Sequence, residues 1–276
     1  MIRIILFSAA FGLLTLLNSC QKPAVYTVYA LKFREFGRQP AIGSFVGATD
    51  TDSVDVCYMI WFLKGNNGHN ILVDAGDLDS SRMGNFARPA TVLKDININP
   101  SDITDIIITH PHLDHIGGLP EFPNGKIWMQ KADFEYFTKD AWIDSNFRAG
   151  FDTNDVKHIK SANSAGRLNL VNGDGIEILP GIKVFTGSKH TYENQYLLVN
   201  SDSGKKILLA SDAIWYYQNL ERMVSIETYV MDPVSYVNAM KRMKTLVNDE
   251  KYIIPGHDDQ VFLRFPRVSE RVVKIE

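Results

Sequence analysis

Three histidines and one aspartate fall within six residues, and this motif limits what the chain can fold into more than any other feature. Its members are His110, His112, Asp114 and His115. The apolar, β-branched run from Ile106 to Thr109 precedes it and predicts a buried strand, and Gly117-Gly118 ends it. Imidazole and carboxylate are ligands that suit zinc and related divalent ions. The sequence therefore predicts a metal site at a strand end, where the first two histidines can share one metal while the other two side chains face a second.

Four other side chains occupy comparable places, each after an apolar, β-like run or a glycine-bearing turn. They are Asp74, His190, Asp212 and His257. Together with the motif, and in this order, they resemble the metallo-β-lactamase superfamily. The match spans roughly Tyr26 to His257, which is nearly the whole chain after its apolar N-terminus. One such motif alone is a strong signal, and five parts in order are very hard to obtain by chance.

The resemblance implies a dinuclear metal centre. It assigns the ligands as His110, His112 and His190 for one metal, Asp114, His115 and His257 for the other, and Asp212 as the bridge between them. Two divalent ions are expected, with zinc as the first choice and iron, manganese or cobalt as alternatives for the same ligands. Asp74 would hold the orientation of a ligand. Two cations with a shared carboxylate would give a metal-bridging hydroxide near neutral pH, which makes Asp114 and Asp212 catalytic as well as ligands.

The resemblance also implies the fold, an α+β αββα sandwich in which two mixed β-sheets lie back to back with helices on the outer faces. Periodicity alone predicts only an α/β or α+β chain. The patterns predict strands over residues 25–33, 54–62, 126–130, 176–179, 182–186, 196–199 and 206–209, with 252–254 as the last strand. A loop is predicted from Gly37 to Asp52, and a helix from Asp232-Pro233 to about Val247.

The segment from Lys131 to about Arg167 is rich in aromatic residues and allows two interpretations. The aromatic residues are Phe134, Tyr136, Phe137, Trp142, Phe147 and Phe151. In one interpretation an amphipathic helical pair packs on the sheet. In the other a hydrophobic lid beside the metals accepts an acyl or aromatic group.

The resemblance implies a metal-dependent hydrolase, because a metal-bridging hydroxide needs no protein nucleophile, and the sequence has no Gly-x-Ser-x-Gly motif. A bridging Asp212 argues against β-lactamases proper. The segments from His190 to Trp215 and from Val54 to Asp74 most resemble N-acyl-homoserine lactonases. That resemblance implies opening of a small-molecule lactone or cleavage of a carboxylic ester, of the quorum-quenching type.

One position departs from the lactonase pattern. Those enzymes usually place a tyrosine three residues after the bridging aspartate, and here that position is Trp215, with Tyr216 next. An indole N–H donates a hydrogen bond but cannot act as an acid in the way a phenol does. We therefore single out Trp215 and Tyr216 as catalytic candidates. Organophosphate or aryl-ester, sulfatase-like and thioester hydrolysis remain alternatives, and a non-catalytic envelope protein with a structural metal is a third class.

The N-terminus has the pattern of an export signal. Arg3 precedes one apolar run from Ile4 to Leu17, which is short for a membrane span and typical of a signal peptide. Leu17-Asn18-Ser19-Cys20 resembles a bacterial lipobox, with Asn18 as a departure. We expect residues 1–19 to be a lipoprotein signal peptide and residues 20–276 one hydrolase domain, anchored in the cell envelope by a lipid on Cys20. An ordinary secretory signal and an uncleaved anchor are the competing interpretations.

Charge and cysteine content argue against nucleic-acid binding and against a disulfide-stabilised fold. The formal net charge is −3 and no basic stripe stands out, so nucleic acid is not an expected partner. If Cys20 carries a lipid, Cys57 is the one cysteine left and no intramolecular disulfide can form. Cys57 lies in an apolar run and is predicted to be a small buried hydrophobic residue.

Overall fold

The computed structural model describes residues 23–143 and 148–276. Its strands are β1 (Tyr26–Pro40), β2 (Ser53–Gly65), β3 (Asn70–Val73), β4 (Asn85–Phe86), β5 (Asp105–Ile107), β6 (Lys126–Gln130), β7 (Leu168–Val171), β8 (Ile176–Leu179), β9 (Ile182–Phe185), β10 (Tyr196–Asn200), β11 (Lys206–Ser211), β12 (Ile253–Pro255) and β13 (Val272–Lys274). Its α-helices are α1 (Pro89–Val92), α2 (Leu113–Ile116), α3 (Lys131–Thr138), α4 (Thr153–Ser164), α5 (Tyr217–Arg222), α6 (Pro233–Leu246) and α7 (Val261–Arg264). The predicted signal peptide, Cys20 and Phe147 lie outside the described residues. Within those residues, no helix has the length and apolar character needed to cross a bilayer.

The strands form two mixed sheets. The first has the order β13-β1-β2-β3-β5-β6-β7, with β4 on the edge of β1, and the second has the order β12-β11-β10-β9-β8. In the first sheet β1 and β2 form a long antiparallel pair, whereas β3, β5, β6 and β7 are parallel. In the second sheet only β11 and β12 are parallel among the described pairs. The parallel strands end at the same edge, and the metal motif follows β5 at that edge.

The two sheets pack face to face over one apolar core. Trp61 and Val73 of the first sheet and Val184, Leu197 and Leu209 of the second belong to this buried cluster. The outer faces are covered separately. The helices α3 and α4 cover the first sheet with Phe137 and Ile159, and α6 covers the second with Met240 and Met243. The predicted αββα sandwich is confirmed.

Most predicted elements lie where the sequence put them. The strands 126–130 and 176–179 have the predicted bounds, and α6 begins after Asp232, whose Oδ1 accepts from the N–H groups of Val234 and Ser235. Two predictions are wrong. The last strand is β13, which pairs with β1, rather than 252–254. The strand β1 continues to Pro40 where a loop was predicted, because Gly37 takes a left-handed conformation at a bulge opposite β2 and the ladder resumes beyond it.

Candidate metal centre

The histidine motif occupies the loop that follows β5 and the single-turn helix α2. The strand ends at Ile107, and α2 then presents Asp114 and His115. The glycines after the motif allow the loop to approach the backbone beyond β3. A Cβ on Gly118 would lie 1.9 Å from the carbonyl oxygen of Ala75, so only glycine fits there. The Gly117-Gly118 pair is therefore part of the site's architecture.

Three imidazoles converge on one point. His110 Nε2 lies 3.0 Å from His112 Nδ1, His190 Nε2 lies 3.0 Å from His112 Nδ1, and the two Nε2 atoms are 3.2 Å apart. All three rings are buried. Three ring nitrogens that face one another bring their lone pairs to a common centre, which is the arrangement that a tetrahedral zinc site uses.

A second group of potential ligands lies beside the first. Asp114, His115 and His257 offer ligand atoms within 4.8 Å of one another, as do His110, His112, His190 and Asp212 in the first group. Asp212 faces both groups. Its Oδ2 lies 3.2 Å from His190 Nε2, and its Oδ1 lies 3.1 Å from His115 Nε2 and 3.0 Å from His257 Nε2. The structure thus brings together all seven side chains that the sequence singled out as ligands.

Fixed hydrogen bonds orient these side chains. Asp74 is buried beside the loop and accepts from Thr109 N–H (2.7 Å) and Thr109 Oγ1 (2.9 Å), while its Oδ2 lies 2.8 Å from His115 Nδ1. His190 N–H donates to Asn194 Oδ1 at 3.1 Å, and His257 Nδ1 lies 3.1 Å from the carbonyl oxygen of Cys57. For His115 and His257, the nitrogen that faces the cluster is therefore set by the contact at the other ring nitrogen, whereas the hydrogen bond of His190 holds its backbone.

The electrostatics of the cluster favour a cation. Burial and the neighbouring imidazoles lower the pKa of His110 and His112 well below the usual value, so these rings are neutral and have lone pairs available. Burial alone would raise the pKa of Asp212, but the surrounding imidazoles hold it well below its usual range. Burial alone would lower the pKa of His115, and the carboxylates of Asp212 and Asp114 instead raise it. The second group therefore attracts positive charge.

Two buried polar atoms also indicate a cation site. His115 Nε2 and Asp212 Oδ1 are buried 3.1 Å apart, and neither has a partner at hydrogen-bond geometry, which is rare for buried polar atoms. Both atoms belong to proposed ligand side chains. Two divalent cations would satisfy them, so these residues fit the dinuclear centre that the sequence predicts.

The two catalytic candidates beyond the ligands have different surroundings. Trp215 Nε1 donates to Asp212 Oδ2 at 2.7 Å, so this indole restrains the central carboxylate. Tyr216 is 4% exposed and packs against Ala41 and Phe45, with its hydroxyl hydrogen-bonded to Ser44. The hydroxyl of Tyr216 is thus already engaged by a hydrogen bond.

Two cavities open beside the cluster and share one wall. We call them the apolar cavity, of about 330 Å³, and the polar cavity, of about 300 Å³. The apolar cavity is lined by residues that include Tyr136, Phe151, Tyr192, Val230 and Met231. The polar cavity is lined by residues that include Tyr58, Arg82, Asp114, Asp212, Trp215 and His257. His112 and Tyr229 line both.

The packing interpretation of the aromatic segment is confirmed for some of its residues, whereas acceptance of an acyl or aromatic group stays a prediction. Phe134 and Phe137 are core residues that pack on the first sheet. Tyr136 and Phe151 line the apolar cavity next to His112. The same helical region therefore supplies both the packing and one wall of a pocket beside the candidate metal site.

Sequence reasoning missed several cavity residues. Tyr58, Arg82 and Tyr229 carry no motif, and only the fold brings them to the cluster. Tyr229 offers one local signal in the structure, since its φ of 57° is rare for a residue with a side chain and such outliers gather at functional sites. His69, which the sequence left unassigned, lies away from the cluster with Nδ1 2.7 Å from Asp105 Oδ2.

Known proteins resemble this chain over most of its length. The family model described as "Metallo-beta-lactamase superfamily" matches residues 51–257. An N-acyl homoserine lactonase of Bacillus cereus is 28% identical over 252 residues, covering 84% of this chain and 94% of that protein. The N-acyl homoserine lactonase AttM of Rhizobium radiobacter is 26% identical over 181 residues, covering 64% and 66% of the two chains.

Solved structures show the same fold. AiiA of B. thuringiensis, with N-decanoyl-L-homoserine bound at its active site, has a TM-score of 0.71 at 22% identity and covers 90% of this chain and 99% of its own. AidC, a dizinc quorum-quenching lactonase in complex with its product, has a TM-score of 0.63 at 18% identity, with coverage of 85% and 90%. The protein therefore belongs to the metallo-beta-lactamase superfamily and is a metal-dependent hydrolase.

Proposed function

We propose that this protein opens small-molecule lactones or cleaves carboxylic esters at a dinuclear metal centre, with N-acyl-homoserine lactones as the favoured substrates. The observation that carries the proposal is Asp212, with one carboxylate oxygen 3.2 Å from His190 of the first ligand group and the other 3.0 Å from His257 of the second. A structural metal site closes around a single ion. A carboxylate placed between two ligand groups instead supports a catalytic pair of metals.

The proposed ligands keep the division that the sequence predicts. They are His110, His112 and His190 for one metal, Asp114, His115 and His257 for the other, and Asp212 for both, with zinc as the proposed metal. Two cations held there would supply an activated water and polarise the scissile carbonyl oxygen.

In this proposal other protein side chains hold the ligands in position. Asp74 fixes the ring of His115 through the 2.8 Å contact at Nδ1. Trp215 holds Asp212 in place through its indole N–H. Neither residue needs to react, and both keep the ligands in the geometry that the reaction uses.

The apolar cavity supports an acylated substrate. It adjoins His112 and His190 and offers the rings of Tyr136, Phe151 and Tyr192 to an acyl chain. The reacting group would then lie in the polar cavity, next to Asp114 and Asp212. The lactonase relatives, 26–28% identical, act on substrates of this shape by their names, which adds support for the same class here.

A second candidate function rests on Trp215. Its position is the one at which the sequence departs from the lactonase pattern, and an indole cannot act as an acid. Aryl esters and phosphotriesters carry better leaving groups than lactones and depend less on an acid. Organophosphate or aryl-ester hydrolysis, with sulfatase-like or thioester hydrolysis beside it, is therefore the alternative assignment.

The test measures metal content and hydrolysis on protein that begins at Pro23. The substrates are butanoyl- and decanoyl-homoserine lactone, an aryl ester, a phosphotriester, an aryl sulfate and a thioester. We expect about two metals per chain and lactone opening that EDTA abolishes. Two metals without lactone opening would refute the lactonase assignment, and the substrate that is cleaved would then name the class.

A pair of variants tests the site itself. Asp212→Ala should lose at least one metal and about 10³-fold or more in kcat, because it removes the carboxylate between the ligand groups. Asp50→Ala changes an exposed aspartate outside the cluster and serves as the matched control. Unchanged metal content and activity in Asp212→Ala would contradict the ligand assignment.

We also propose that the protein is exported and held at the cell envelope by a lipid on Cys20. The support is the lipobox-like Leu17-Asn18-Ser19-Cys20 alone. Expression in a bacterial host with radiolabelled palmitate should label the wild type but not Cys20→Ser. Equal labelling of the two, or none in either, would refute the anchor.

A further inference from the structure

An ester that is cleaved in the polar cavity gains negative charge on one of its two oxygens. A fixed hydrogen-bond donor beside that oxygen lowers the barrier. Two obvious donors of the cavity wall are already engaged. Trp215 Nε1 donates to Asp212 at 2.7 Å, and the guanidinium of Arg82 lies 3.1 Å from Asp79 Oδ2 and 3.5 Å from Asp77 Oδ2.

Three phenols also line the polar cavity, and they differ in how free their hydroxyls are. The hydroxyl of Tyr216 is hydrogen-bonded to Ser44. Tyr229 is 49% exposed and sits on a loop between α5 and α6. The hydroxyl of Tyr58 has no hydrogen-bond partner within residues 23–143 and 148–276, although its side chain lines the cavity next to Asp114 and His257.

Tyr58 is also held in place by regular secondary structure. It lies on β2, where the preceding residue Cys57 accepts from His257 Nδ1 (3.1 Å) and donates its N–H to the carbonyl oxygen of His257 (3.0 Å). The ring of Tyr58 is 4.8 Å from the ring of His257 and 4.8 Å from that of Phe36. Its position is thus tied to a proposed ligand through a strand rather than through a loop.

A phenol carries its proton near neutral pH, so the hydroxyl of Tyr58 is an O–H donor there. A donor that keeps its hydrogen can stabilise developing negative charge without giving up the proton.

We propose that Tyr58 is a further catalytic residue, whose hydroxyl donates a hydrogen bond to the ester oxygen that gains charge. The proposal rests on the proposed function, because it takes the substrate to be a lactone or carboxylic ester. No proton is transferred in this step and no bond of Tyr58 is broken. Tyr58 would supply the donor that neither Trp215 nor Tyr216 has free.

The test compares Tyr58→Phe with Tyr217→Phe in the zinc-loaded full chain. Tyr217 is a matched control, because its hydroxyl is buried without a partner and lies outside the polar cavity. We expect Tyr58→Phe to lower kcat for hexanoyl-homoserine lactone by about 10²-fold, the usual effect of removing one such donor, with little change in KM. Tyr217→Phe should stay within about twofold of the wild type.

An aryl ester shows which oxygen receives the hydrogen bond. A good leaving group needs no help to depart, so a loss on the lactone alone places Tyr58 at the leaving oxygen. An equal loss on both substrates places it at the carbonyl oxygen. Both results support the proposal, whereas wild-type kcat on both substrates would overturn it.

A binding measurement separates this proposal from the lactonase assignment. Hexylphosphonate resembles the tetrahedral addition stage and is not cleaved, and calorimetry gives its affinity without turnover. Tyr58→Phe should bind it about tenfold more weakly, while the wild type and Tyr217→Phe bind alike. If the wild type opens no lactone but this difference appears, the proposed function fails and the role of Tyr58 stands. Loss of metal from Tyr58→Phe would overturn that role, because Tyr58 would then act on His257 rather than on the substrate.

Discussion

At the scale of single residues, the tightest constraint on a ligand is the glycine that packs against His112. Gly150 has a φ of 88°, and its carbonyl oxygen accepts from Leu113 N–H at 2.8 Å. A Cβ at this position would lie 2.7 Å from His112 Cδ2. Such a separation is too short for two carbon atoms, so any side chain at Gly150 must move the imidazole.

We therefore expect Gly150→Ala to displace His112 and weaken the first metal. Metal content should fall from about two ions per chain towards one, with at least a tenfold loss in kcat/KM. The matched control is Gly166→Ala, which also places a side chain at positive φ (69°) but meets nothing within 4 Å. It should cost about 1 kcal/mol in the free energy of unfolding and leave metal content unchanged. Full metal content in Gly150→Ala would show that the loop moves to accept the methyl group and that the position of His112 does not depend on this glycine.

Some site residues could be predicted from the sequence and others could not, depending on whether neighbouring or distant residues in the chain hold them in place. His110, His112, Asp114 and His115 are recognisable because one short loop after one strand must hold them all. Gly150 lies 38 positions after His112, and Tyr58 lies 52 positions before His110. Nothing near either residue in the sequence marks its contact with the site. Their roles depend on tertiary packing, which no periodicity encodes.

At the scale of elements, α3 holds the loop that carries His190. Asp133 on α3 is buried, and its carboxylate accepts from Thr191 Oγ1 at 2.7 Å and from Glu193 N–H at 3.0 Å. Burial raises the pKa of Asp133 to about 7. The link between helix and loop is therefore made by a carboxyl group that changes charge near neutral pH.

The sign of the resulting pH dependence follows from the two pKa values. The unfolded chain ionises Asp133 near pH 4, whereas the folded protein keeps it protonated until about pH 7, so the folded state binds more protons between these values. The free energy of unfolding then falls as pH rises through that window. Asp133→Asn cannot ionise and can still accept from Glu193 and donate to Thr191. Relative to the wild type, it should gain about 2 kcal/mol between pH 5 and pH 8 in urea unfolding. An unchanged difference between the two proteins at these pH values would contradict the raised pKa.

The wall of the apolar cavity gives a prediction about substrate length. Tyr192 is 45% exposed, and its ring stacks on Tyr136 with centroids 5.0 Å apart. Tyr192→Ala removes this part of the wall, where a long acyl chain would be covered but a short one would not reach. The ratio of kcat/KM for decanoyl- over butanoyl-homoserine lactone should fall about tenfold, since each buried methylene contributes about 0.8 kcal/mol. Leu263→Ala, which removes a side chain 81% exposed and outside both cavities, should leave the ratio unchanged. An unaltered ratio in Tyr192→Ala would place the acyl chain elsewhere.

The elements themselves were predictable to the extent that burial follows a local pattern. The strand β6 has the predicted bounds because its apolar run is flanked by a turn and a helix. The strand β13 has only three residues, and pairing with β1 rather than its own sequence defines it. The extension of β1 to Pro40 likewise depends on its partner β2. Gly37 is typical of a turn, but a bulge near it lets the pairing with β2 continue.

At the scale of the whole molecule, the candidate metal centre joins the two sheets. His110, His112, Asp114 and His115 follow β5 of the first sheet, whereas His190, Asp212 and His257 follow β9, β11 and β12 of the second. Direct hydrogen bonds also join the two sheets at this edge. Gln195, just before β10, donates its N–H to the carbonyl oxygen of Thr109 (2.9 Å) and its Nε2–H to that of Ile108 (2.8 Å). Metal ions would add ligand bonds across the same boundary.

Removal of metal should therefore destabilise the fold as a whole and not only abolish activity. Each ion that binds the folded chain alone stabilises it by about 4 kcal/mol when free metal is 1,000 times its dissociation constant. For a chain of this size that corresponds to a fall in Tm of about 10 °C per ion on treatment with EDTA, measured by circular dichroism, and zinc should restore it. Asp212→Ala is the control, because a protein that has already lost the shared carboxylate should respond to EDTA much less. If neither EDTA nor added zinc changed the wild-type Tm, the seven side chains would hold the sheets together without metal. Metal binding would then not explain why these side chains converge.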